Sequence, residues 1–392
     1  MEIAIIGGGA SGLLCAYFAS LNKNTKITLF EKNSTCGKKL LLSGSGQCNI
    51  TNFENAKAMA THYNNFQFSN SIIKKFDSYT TMKLFENMGI PLTVRPDNKV
   101  FPKSLKAKTV LETLVNKNIE QGVTIKYNTS IHSIEIKKEK FLLNETDLFD
   151  KVVLATGGEH YRHTGSTGDG YKLAKQLGHT IVKTKAALCP VKLIDPVLKE
   201  CSGITIKNVS LTTDNKTTVG EILITHDGLS GPVVLDHSRN LKANDKLTIN
   251  WLASETNIQE KINSLINQSG AMQLQTIIHQ LGLPNKLIVA LFENTAVDIK
   301  KKAAEVGKKK VIEVVKCLSS FTALVNTTAK QHLAKATSGG ISLNEVNQEN
   351  CESLLVKNLY FIGEVLDIDG DTGGYNLQNA WSTAAIVGAT LR

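Results

Sequence analysis

Residues 2–31 decide the fold, and they read EIAIIGGGASGLLCAYFASLNKNTKITLFE. The apolar run Glu2–Ile6 predicts a buried strand, and Lys26–Phe30 predicts a second one. Between the strands, a glycine turn at residues 7–12 is followed by an apolar helical stretch over 13–21. A Gly-x-Gly-x-x-Gly turn placed between a strand and a helix is typical of a dinucleotide-binding α/β unit.

Each glycine of this turn has a separate expected role. Gly7 permits the tight turn, Gly9 lets a pyrophosphate approach the backbone, and Gly12 lets the helix pack closely on the strand. Free N–H groups and the positive end of the helix dipole then favour phosphate binding. Glu31 follows Gly12 by 19 residues, where a carboxylate is expected to bind the adenosine ribose.

Composition sets the broad class of the protein. The chain has 392 residues, of which 42% are hydrophobic and 20% charged, so a sizeable core is expected and global disorder is excluded. No apolar run approaches the ~20 residues that cross a bilayer, and the strand-like start predicts no signal peptide. The seven cysteines form no Cys-x-x-Cys pair, which favours reduced thiols in a cytoplasm over disulfides or a zinc site. His160 and His163 have no Cys or carboxylate at a metal-like spacing, so we predict no metal site.

The pattern of apolar and polar residues changes twice along the rest of the chain. Short alternating segments begin near residue 190 and predict a small β domain, whereas residues 256–324 have helical periodicity. The last forty residues return to strand, glycine loop and helix. We therefore predict an α/β fold, in which a Rossmann-type FAD-binding domain (1–188 and 328–392) is interrupted by an inserted β domain (189–254) and an inserted helical domain (255–327).

Two features favour FAD over a nicotinamide as the resident cofactor. Both chain ends are rich in glycine at predicted strand ends, and a long cofactor could contact both. The chain also has one dinucleotide fingerprint, which is enough for a flavin enzyme that receives hydride from a transient nicotinamide. The final helix, predicted over 376–391, would direct free N–H groups at the flavin and stabilise its anionic reduced ring, or it is an ordinary capped helix.

Longer segments resemble the BaiN/RdsA family of NAD(P)/FAD-dependent oxidoreductases. The similar blocks follow one another in family order from end to end of the chain: 7–12 with Glu31, 37–52, 100–104, 155–170, 225–232 (THDGLSGP), and 363–381 (GEVLDIDGDTGGYNLQNAW). The resemblance implies a flavin domain of the glutathione-reductase type and an NAD(P)H-dependent reduction of a carbon–carbon double bond. Its associated activities are formation of dihydrouridine in large-subunit ribosomal RNA and reduction of steroid-like enones.

The chain departs from the family pattern at a few positions. Ser45 and Gln47 replace a glycine and an arginine, residues 161–163 replace a Tyr-Pro-Lys stretch, and Asn379 replaces an aromatic residue. Because Gln47 removes one positive charge from the expected cofactor site, Arg162 is the candidate replacement.

From the motifs and the resemblance together, we predict the residues that contact the cofactor. They are Gly7, Gly9, Ala10, Ser11, Gly12, Glu31, Lys32, Lys39, Ser43, Gly44, Cys48, Asn49, Ile131, Ala155, Thr156, Gly157, Gly363, Glu364, Asp367, Gly373, Gly374, Tyr375, Asn376 and Leu377.

Reduction of a C=C bond needs an acid as well as a hydride. Cys48 in the glycine-rich loop, Tyr161 after a strand end and His226 in the insert are the candidate proton donors. Each has a structural alternative: a small packed residue, a packed ring and a structural histidine, respectively.

The net charge of +10 permits an anionic partner. Two clusters of basic residues are candidate contacts with ribosomal RNA, and a solvated helix face is the alternative: Lys300, Lys301, Lys302, Lys308, Lys309 and Lys310 within 300–310, and Arg95, Lys99, Lys103, Lys106 and Lys108 within 95–108. A reductase of a small enone and a non-catalytic flavoprotein redox sensor remain alternative functions.

Overall fold

The computed structural model describes residues 1–195, 197–214, 216–328 and 333–392. The chain forms two compact units. The first combines Met1–Ala186 with Lys335–Arg392, and the second is Ala187–Ala334. Both ends of the chain therefore build the same unit.

The strands of the described residues follow one another along both units. They are β1 (Glu2–Ile6), β2 (Lys26–Phe30), β3 (Thr51–Asn52), β4 (Leu92–Val94), β5 (Lys99–Pro102), β6 (Thr124–Lys126), β7 (Ile134–Lys137), β8 (Lys140–Leu143), β9 (Asp147–Phe149), β10 (Lys151–Leu154), β11 (Ile181–Ala187), β12 (Val191–Leu193), β13 (Thr205–Thr213), β14 (Lys216–Thr225), β15 (Gly228–Ser230), β16 (Lys246–Asn250), β17 (Phe321–Thr328), β18 (Ala336–Ile341) and β19 (Leu359–Phe361).

Four of the α-helices begin at a residue whose side chain caps the helix. Asn55, Asn65, Asp77 and Asn257 each accept a backbone N–H at the start of a helix. The helices are α1 (Ala10–Ser20), α2 (Lys38–Leu42), α3 (Ala56–Ala60), α4 (Phe66–Lys75), α5 (Ser78–Asn87), α6 (Ala107–Glu120), α7 (Asp169–Gln176), α8 (Pro232–His237), α9 (Ile258–Ser269), α10 (Leu274–His279), α11 (Asn285–Phe292), α12 (Lys308–Ser319) and α13 (Tyr375–Thr390).

A parallel sheet with the strand order β19-β10-β1-β2-β6 forms the centre of the first unit. Ile6 at the end of β1 is in register with Phe30 and with Leu154, and Leu154 is in register with Phe361. The segments that follow these four strands therefore emerge at one edge of the sheet, where α/β folds bind their ligands. This arrangement confirms the predicted Rossmann-type α/β class.

Helices α1 and α13 pack closely within the core of this unit. A Cβ atom at Gly388 in α13 would lie 2.5 Å from the Cβ of Phe18 and 3.0 Å from the carbonyl oxygen of Cys15. Trp381, also in α13, is completely buried and donates its indole N–H to the carbonyl of Ile50 at 3.0 Å. The last helix of the chain is therefore an internal element of the N-terminal fold.

Smaller sheets complete the first unit. The order β3-β5-β4 forms one antiparallel sheet, β7-β8-β9 forms another, and β11 pairs with β18.

The second unit contains a closed barrel with the strand order β12-β15-β14-β13-β16-β17. Residues 321–327, assigned from the sequence to the helical domain, belong to β17, which pairs with β16 and with β12. Ile249 of the barrel and Leu287 and Val314 of the helices share one hydrophobic core. The inserted β and helical parts therefore pack as one unit. None of the helices in the described part of the chain has both the length and the apolar character to span a bilayer.

Candidate cofactor-binding and active site

The glycine turn after β1 combines close backbone packing with one open position. A Cβ atom at Gly12 would overlap the carbonyl oxygen of Gly7, and one at Gly7 would overlap that of Ala155. A Cβ at Gly9, in contrast, would have no heavy atom within 4 Å. Gly9 is also the N-cap of α1, and no side chain caps this helix end. The turn therefore leaves space for a phosphate in front of the helix N–H groups.

Glu31 lies directly after β2, beside the same turn. It is 7% exposed, and its Oε2 accepts the backbone N–H of Gly8 at 3.0 Å. Its Oε1 accepts the backbone and side-chain N–H groups of Asn33 at 2.8 and 2.7 Å. These three bonds hold the carboxylate in one orientation and leave one lone pair, on Oε2, for a ribose hydroxyl.

Lys32 connects the end of β2 to the loop before α7. Its Nζ lies 2.6 Å from Oδ2 of Asp169 and also donates to Thr167. Burial would raise the pKa of Asp169, but the hydrogen bonds from Lys32 and Thr167 and the nearby positive charge lower it. The Lys32 ammonium is thus part of an ion pair that fixes this loop.

The two ends of the chain meet through Lys39 and Glu364. Lys39 Nζ lies 2.8 and 2.6 Å from the two carboxylate oxygens of Glu364. The backbone N–H of Thr337 donates to the Oε1 of Glu364 at 2.9 Å. A strand-end loop, the short helix α2 and a returning strand therefore converge on one carboxylate.

Glycines surround this meeting point. Gly157 and Gly363 both have a φ of 71°, a conformation that favours glycine. A Cβ at Gly363 would lie 2.7 Å from the hydroxyl of Ser11 in the first turn of α1. Ala155 is buried, and Thr156 Oγ1 is buried without a hydrogen-bond partner among the described residues.

Cys48 is completely buried in the loop after α2. Its φ is 62°, and its N–H donates to the carbonyl of Ser43 at 3.0 Å. Burial raises the pKa of its thiol to about 12, although a hydrogen bond with Ser43 acts in the opposite direction. Such a thiol is a weak acid at neutral pH, which favours the packed alternative for this residue.

The loop that contains Cys48 also presents an unsatisfied polar atom. Asn49 Oδ1 is buried and accepts no hydrogen bond from the part of the chain that the structure describes. Gly44 has a φ of 54°, and a Cβ there would lie 2.8 Å from the N of Asn49. A buried amide oxygen without a donor is expected to receive one from a ligand.

Gln47, which replaces the family arginine, has an arginine beside it. Arg95 Nη2 donates to Gln47 Oε1 at 2.6 Å, and the guanidinium carbon lies 3.9 Å from the ring centroid of Phe101. Arg162, the replacement considered from the sequence, is exposed. The positive charge next to residue 47 therefore comes from Arg95, on the β4–β5 hairpin.

The start of α13 is built around a glycine pair. Gly374 is the N-cap with a φ of 107°, and a Cβ there would lie 2.6 Å from the backbone of Thr51. No side chain caps this helix end. The side chain of Asn376 bonds to both the N–H and the carbonyl of Gly370, at 2.9 and 2.8 Å, so it closes the preceding loop.

Three other predicted residues lie around this loop. Gly373 has a φ of 128°, and Leu377 is half-buried. Burial raises the pKa of Asp367, and hydrogen bonds from Gly339 and Asn64 oppose that shift.

The remaining predicted residues are more scattered. Ile131 is buried in the core of the first unit. Tyr161 has a φ of 68°, and its ring packs edge-on against His163 with centroids 4.6 Å apart. His226 is exposed in the two-residue turn between β14 and β15 of the second unit. Cys48 and Tyr161 thus belong to the first unit, and His226 does not.

His62, which was not predicted as a site residue, lies between α3 and α4 and packs against the first residue of α13. His62 Nδ1 is 3.2 Å from Asp371 Oδ2, and its Nε2 is 3.5 Å from Glu54 Oε2. Its ring stacks on Tyr375 with centroids 4.1 Å apart and an interplanar angle of 15°. Tyr375 also donates its hydroxyl to Glu54 Oε1 at 3.1 Å, and Tyr63 donates to the carbonyl of Tyr375 at 2.6 Å.

His62 could not be found from sequence spacing, because two of its partners, Asp371 and Tyr375, lie more than 300 positions further along the chain. Arg95 was assigned to a basic segment, since no local pattern places it beside residue 47. Within the described ranges, no group of three His, Cys, Asp or Glu side chains could hold a metal ion.

Comparison with known proteins identifies related sequences over nearly the whole chain. The family model of the HI0933-like protein Rossmann domain matches residues 1–390. A ribosomal RNA dihydrouridine synthase from Haemophilus influenzae is 32% identical over 395 residues, covering 98% of this chain and 96% of the relative. A 3-dehydro-bile acid delta(4,6)-reductase from Clostridium scindens is 28% identical over 403 residues, covering 99% of this chain and 98% of the relative.

A solved structure has the same general fold. The 3-ketosteroid-delta4-(5alpha)-dehydrogenase of Rhodococcus jostii superimposes with a TM-score of 0.53 and 14% identity, covering 100% of this chain and 96% of that chain. At this identity the likeness concerns the fold alone.

Proposed function

Because this chain belongs to the HI0933-like Rossmann-domain family, we propose that it is an FAD-dependent, NAD(P)H-driven reductase that forms dihydrouridine in large-subunit ribosomal RNA. The full-length similarity to a ribosomal RNA dihydrouridine synthase, at 32% identity, is the observation that carries the proposal. We place the reaction in the cytoplasm, where ribosomal RNA is made and where cysteine thiols stay reduced.

The residues at the carboxyl edge of the sheet fit an FAD molecule. The open position at Gly9 and the uncapped start of α1 suit the pyrophosphate, and the oriented carboxylate of Glu31 suits the adenosine ribose. Lys39, Glu364 and the unpartnered amide oxygen of Asn49 offer further polar contacts. Bound FAD would supply hydride transfer.

The lysine cluster of the second unit supports an RNA partner. Lys300, Lys301, Lys302, Lys308 and Lys309 are exposed, and they form no ion pair within the described part of the chain. The first turn of α12 contains lysines and no acidic residue, although its helix dipole is positive there. The lysines therefore repel one another and the positive end of the helix dipole, and a bound polyanion relieves this repulsion.

The second basic segment is less available to RNA. Arg95 is bonded to Gln47, Lys99 pairs with Asp97 at 2.8 Å, and Lys108 pairs with Glu112 at 3.5 Å. We therefore expect the cluster at 300–310 to contribute more to RNA binding than residues 95–108.

The test uses the purified holoenzyme with ribosomal RNA from a strain that lacks the gene. Anaerobic incubation with NADPH should convert a uridine of the large-subunit RNA to dihydrouridine, which mass mapping detects, and the deletion strain should lack that modification. Unchanged RNA in both experiments would contradict the proposal.

Charge variants test the RNA contact separately. Replacing the five lysines at 300, 301, 302, 308 and 309 by Gln should weaken RNA binding and reduce its salt dependence. A control with five exposed lysines of the first unit replaced by Gln should change both less: Lys23, Lys138, Lys172, Lys175 and Lys357. Equal losses would indicate nonspecific attraction by net charge.

Reduction of a small conjugated enone is the second candidate. The relative named 3-dehydro-bile acid delta(4,6)-reductase favours it, at 28% identity over the full chain. Enone-dependent NADPH oxidation without RNA, together with unmodified RNA, would select this function over the first.

A further inference from the structure

Reduction of a C=C bond adds a hydride to one carbon and a proton to its neighbour, so the site needs an acid. Several ionisable groups near the loops of the first unit are unsuited to this role. The Cys48 thiol is completely buried, and burial raises its pKa to about 12. Burial also raises the pKa of Tyr63 well above the usual range, and this hydroxyl is already bonded to the carbonyl of Tyr375.

His160 is also excluded from proton donation to a substrate. It is 3% exposed, and its Nδ1 lies 3.0 Å from the hydroxyl of Thr337. Burial lowers its pKa, which disfavours the charged form that could act as the acid.

His62 has the properties that these groups lack. Its side chain is 34% exposed, so a substrate and solvent can both reach it. Its two ring nitrogens face two carboxylates, Asp371 at 3.2 Å and Glu54 at 3.5 Å. Each of these carboxylates can accept a hydrogen bond from the ring, and imidazole is the side chain that most often transfers protons near neutral pH.

The position of His62 connects it to the predicted cofactor site. Its ring stacks on Tyr375, the first residue of α13, directly after the Gly373–Gly374 pair. The backbone N–H of Asp371 also donates to the carbonyl of His62 at 2.9 Å. The imidazole is therefore held at the helix end that the sequence predicts to face the cofactor.

We propose that His62 donates the proton in this reduction, an inference that rests on the proposed function. In this step the Nε2–H bond of the imidazolium breaks and a C–H bond forms at the carbon next to the hydride acceptor. Nε2 is the nitrogen concerned, because its contact with Glu54 Oε2 is 3.5 Å, whereas Nδ1 is hydrogen-bonded to Asp371 at 3.2 Å. Both electrons enter with the hydride, which the reduced nicotinamide supplies. Neutral His62 then takes a proton from solvent, while Glu54 and Asp371 keep the ring in place.

The experiment compares wild type, His62→Gln, His62→Ala and the control His132→Gln. His132 is an exposed histidine of the same unit, bonded through its backbone. The substrate is the RNA or enone that the wild type reduces. Product formation should fall about 100-fold or more in His62→Gln, whereas FAD content and the rate of flavin reduction by NADPH should stay within about twofold. Added imidazole should partly restore His62→Ala.

A pH profile gives a readout that a structural role would not move. The pH dependence of product formation should differ between the wild type and His62→Gln. The groups facing the ring are Glu54, Asp371, Tyr375 and Tyr63, and all are retained in the variant. In oxidised enzyme without turnover, the ¹³C NMR signal of the His62 ring should shift when a uridine-containing oligonucleotide, or the reducible enone, is added.

The experiment distinguishes failure of the His62 proposal from failure of the proposed function. If the wild type reduces a C=C bond and His62→Gln does so within about threefold and with the same pH profile, the role of His62 is wrong and the proposed function stands. If the wild type reduces neither RNA nor enones, the proposed function fails and the inference fails with it.

Discussion

Lys39 and Glu364 form a salt bridge of 2.6 Å, although 325 positions separate them in the chain. The pair lies where α2 meets the segment after β19, and both side chains are mostly buried, with exposures of 29% and 19%. Glu364 also accepts the N–H of Thr337. Three segments that are distant in sequence are thus held by one carboxylate.

We expect Lys39→Met to lower the free energy of unfolding by about 2 kcal/mol, because it leaves a partly buried carboxylate without its cation. Urea denaturation measures the change. The exposed pair Lys26–Glu2, with exposures of 69% and 47%, provides the control, and Lys26→Met should cost no more than about 0.5 kcal/mol. Equal losses for the two variants would contradict the structural role of Lys39.

The glycines of the first turn should respond differently to the same substitution. Gly12→Ala should destabilise the protein by about 3 kcal/mol or prevent folding, because its Cβ would overlap the carbonyl oxygen of Gly7. Gly9→Ala should fold normally, since its φ is −81° and its Cβ would meet open space. The added methyl should instead weaken FAD binding at least tenfold, measured by equilibrium titration of the apoprotein. Full FAD occupancy in Gly9→Ala would contradict the proposed binding of the pyrophosphate at Gly9.

Local patterns were enough to predict the centre of the fold. The strands Glu2–Ile6 and Lys26–Phe30 have the predicted bounds, because apolar runs and the glycine spacing act over a few residues. The predicted family is also confirmed, since its characteristic blocks run from one end of the chain to the other and the family model covers residues 1–390.

Long-range pairing could not be predicted in the same way. Residues 321–327 were assigned to a helical domain, but they form β17 because β16 and β12 pair with them in the barrel. Lys39 and Glu364 are both predicted from the sequence to contact the cofactor, but nothing in the sequence predicts that they pair. The local sequence around Arg95 and around His62 does not predict their partners. Only the folded chain places Arg95 beside Gln47 and His62 beside Asp371.

Arg95 should matter more for cofactor binding than Arg162. Arg95→Ala removes the hydrogen bond to Gln47 and the charge stacked on Phe101, so we expect FAD affinity to fall about tenfold. Arg162→Ala changes an exposed side chain and should leave the affinity within about twofold. Gln47→Arg combined with Arg95→Ala should restore part of the loss. A greater loss in Arg162→Ala would show that the replacement expected from the sequence is the correct one.

The buried thiol of Cys48 should make the protein less stable at alkaline pH. Its pKa is raised by burial to about 12, whereas an unfolded thiol has a pKa of roughly 8.5. The stability from keeping this group neutral is present below pH 8 and is lost as the pH rises towards 12. At pH 10 the loss from this one group is about 2 kcal/mol. Urea denaturation at pH 7 and pH 10 should therefore show a smaller decrease in Cys48→Ala than in the wild type. Cys317→Ala is the control, because Cys317 is only half-buried. This variant should show most of the decrease in stability between pH 7 and pH 10 that the wild type shows. An identical pH dependence in Cys48→Ala and the wild type would mean that Cys48 is not held neutral by burial.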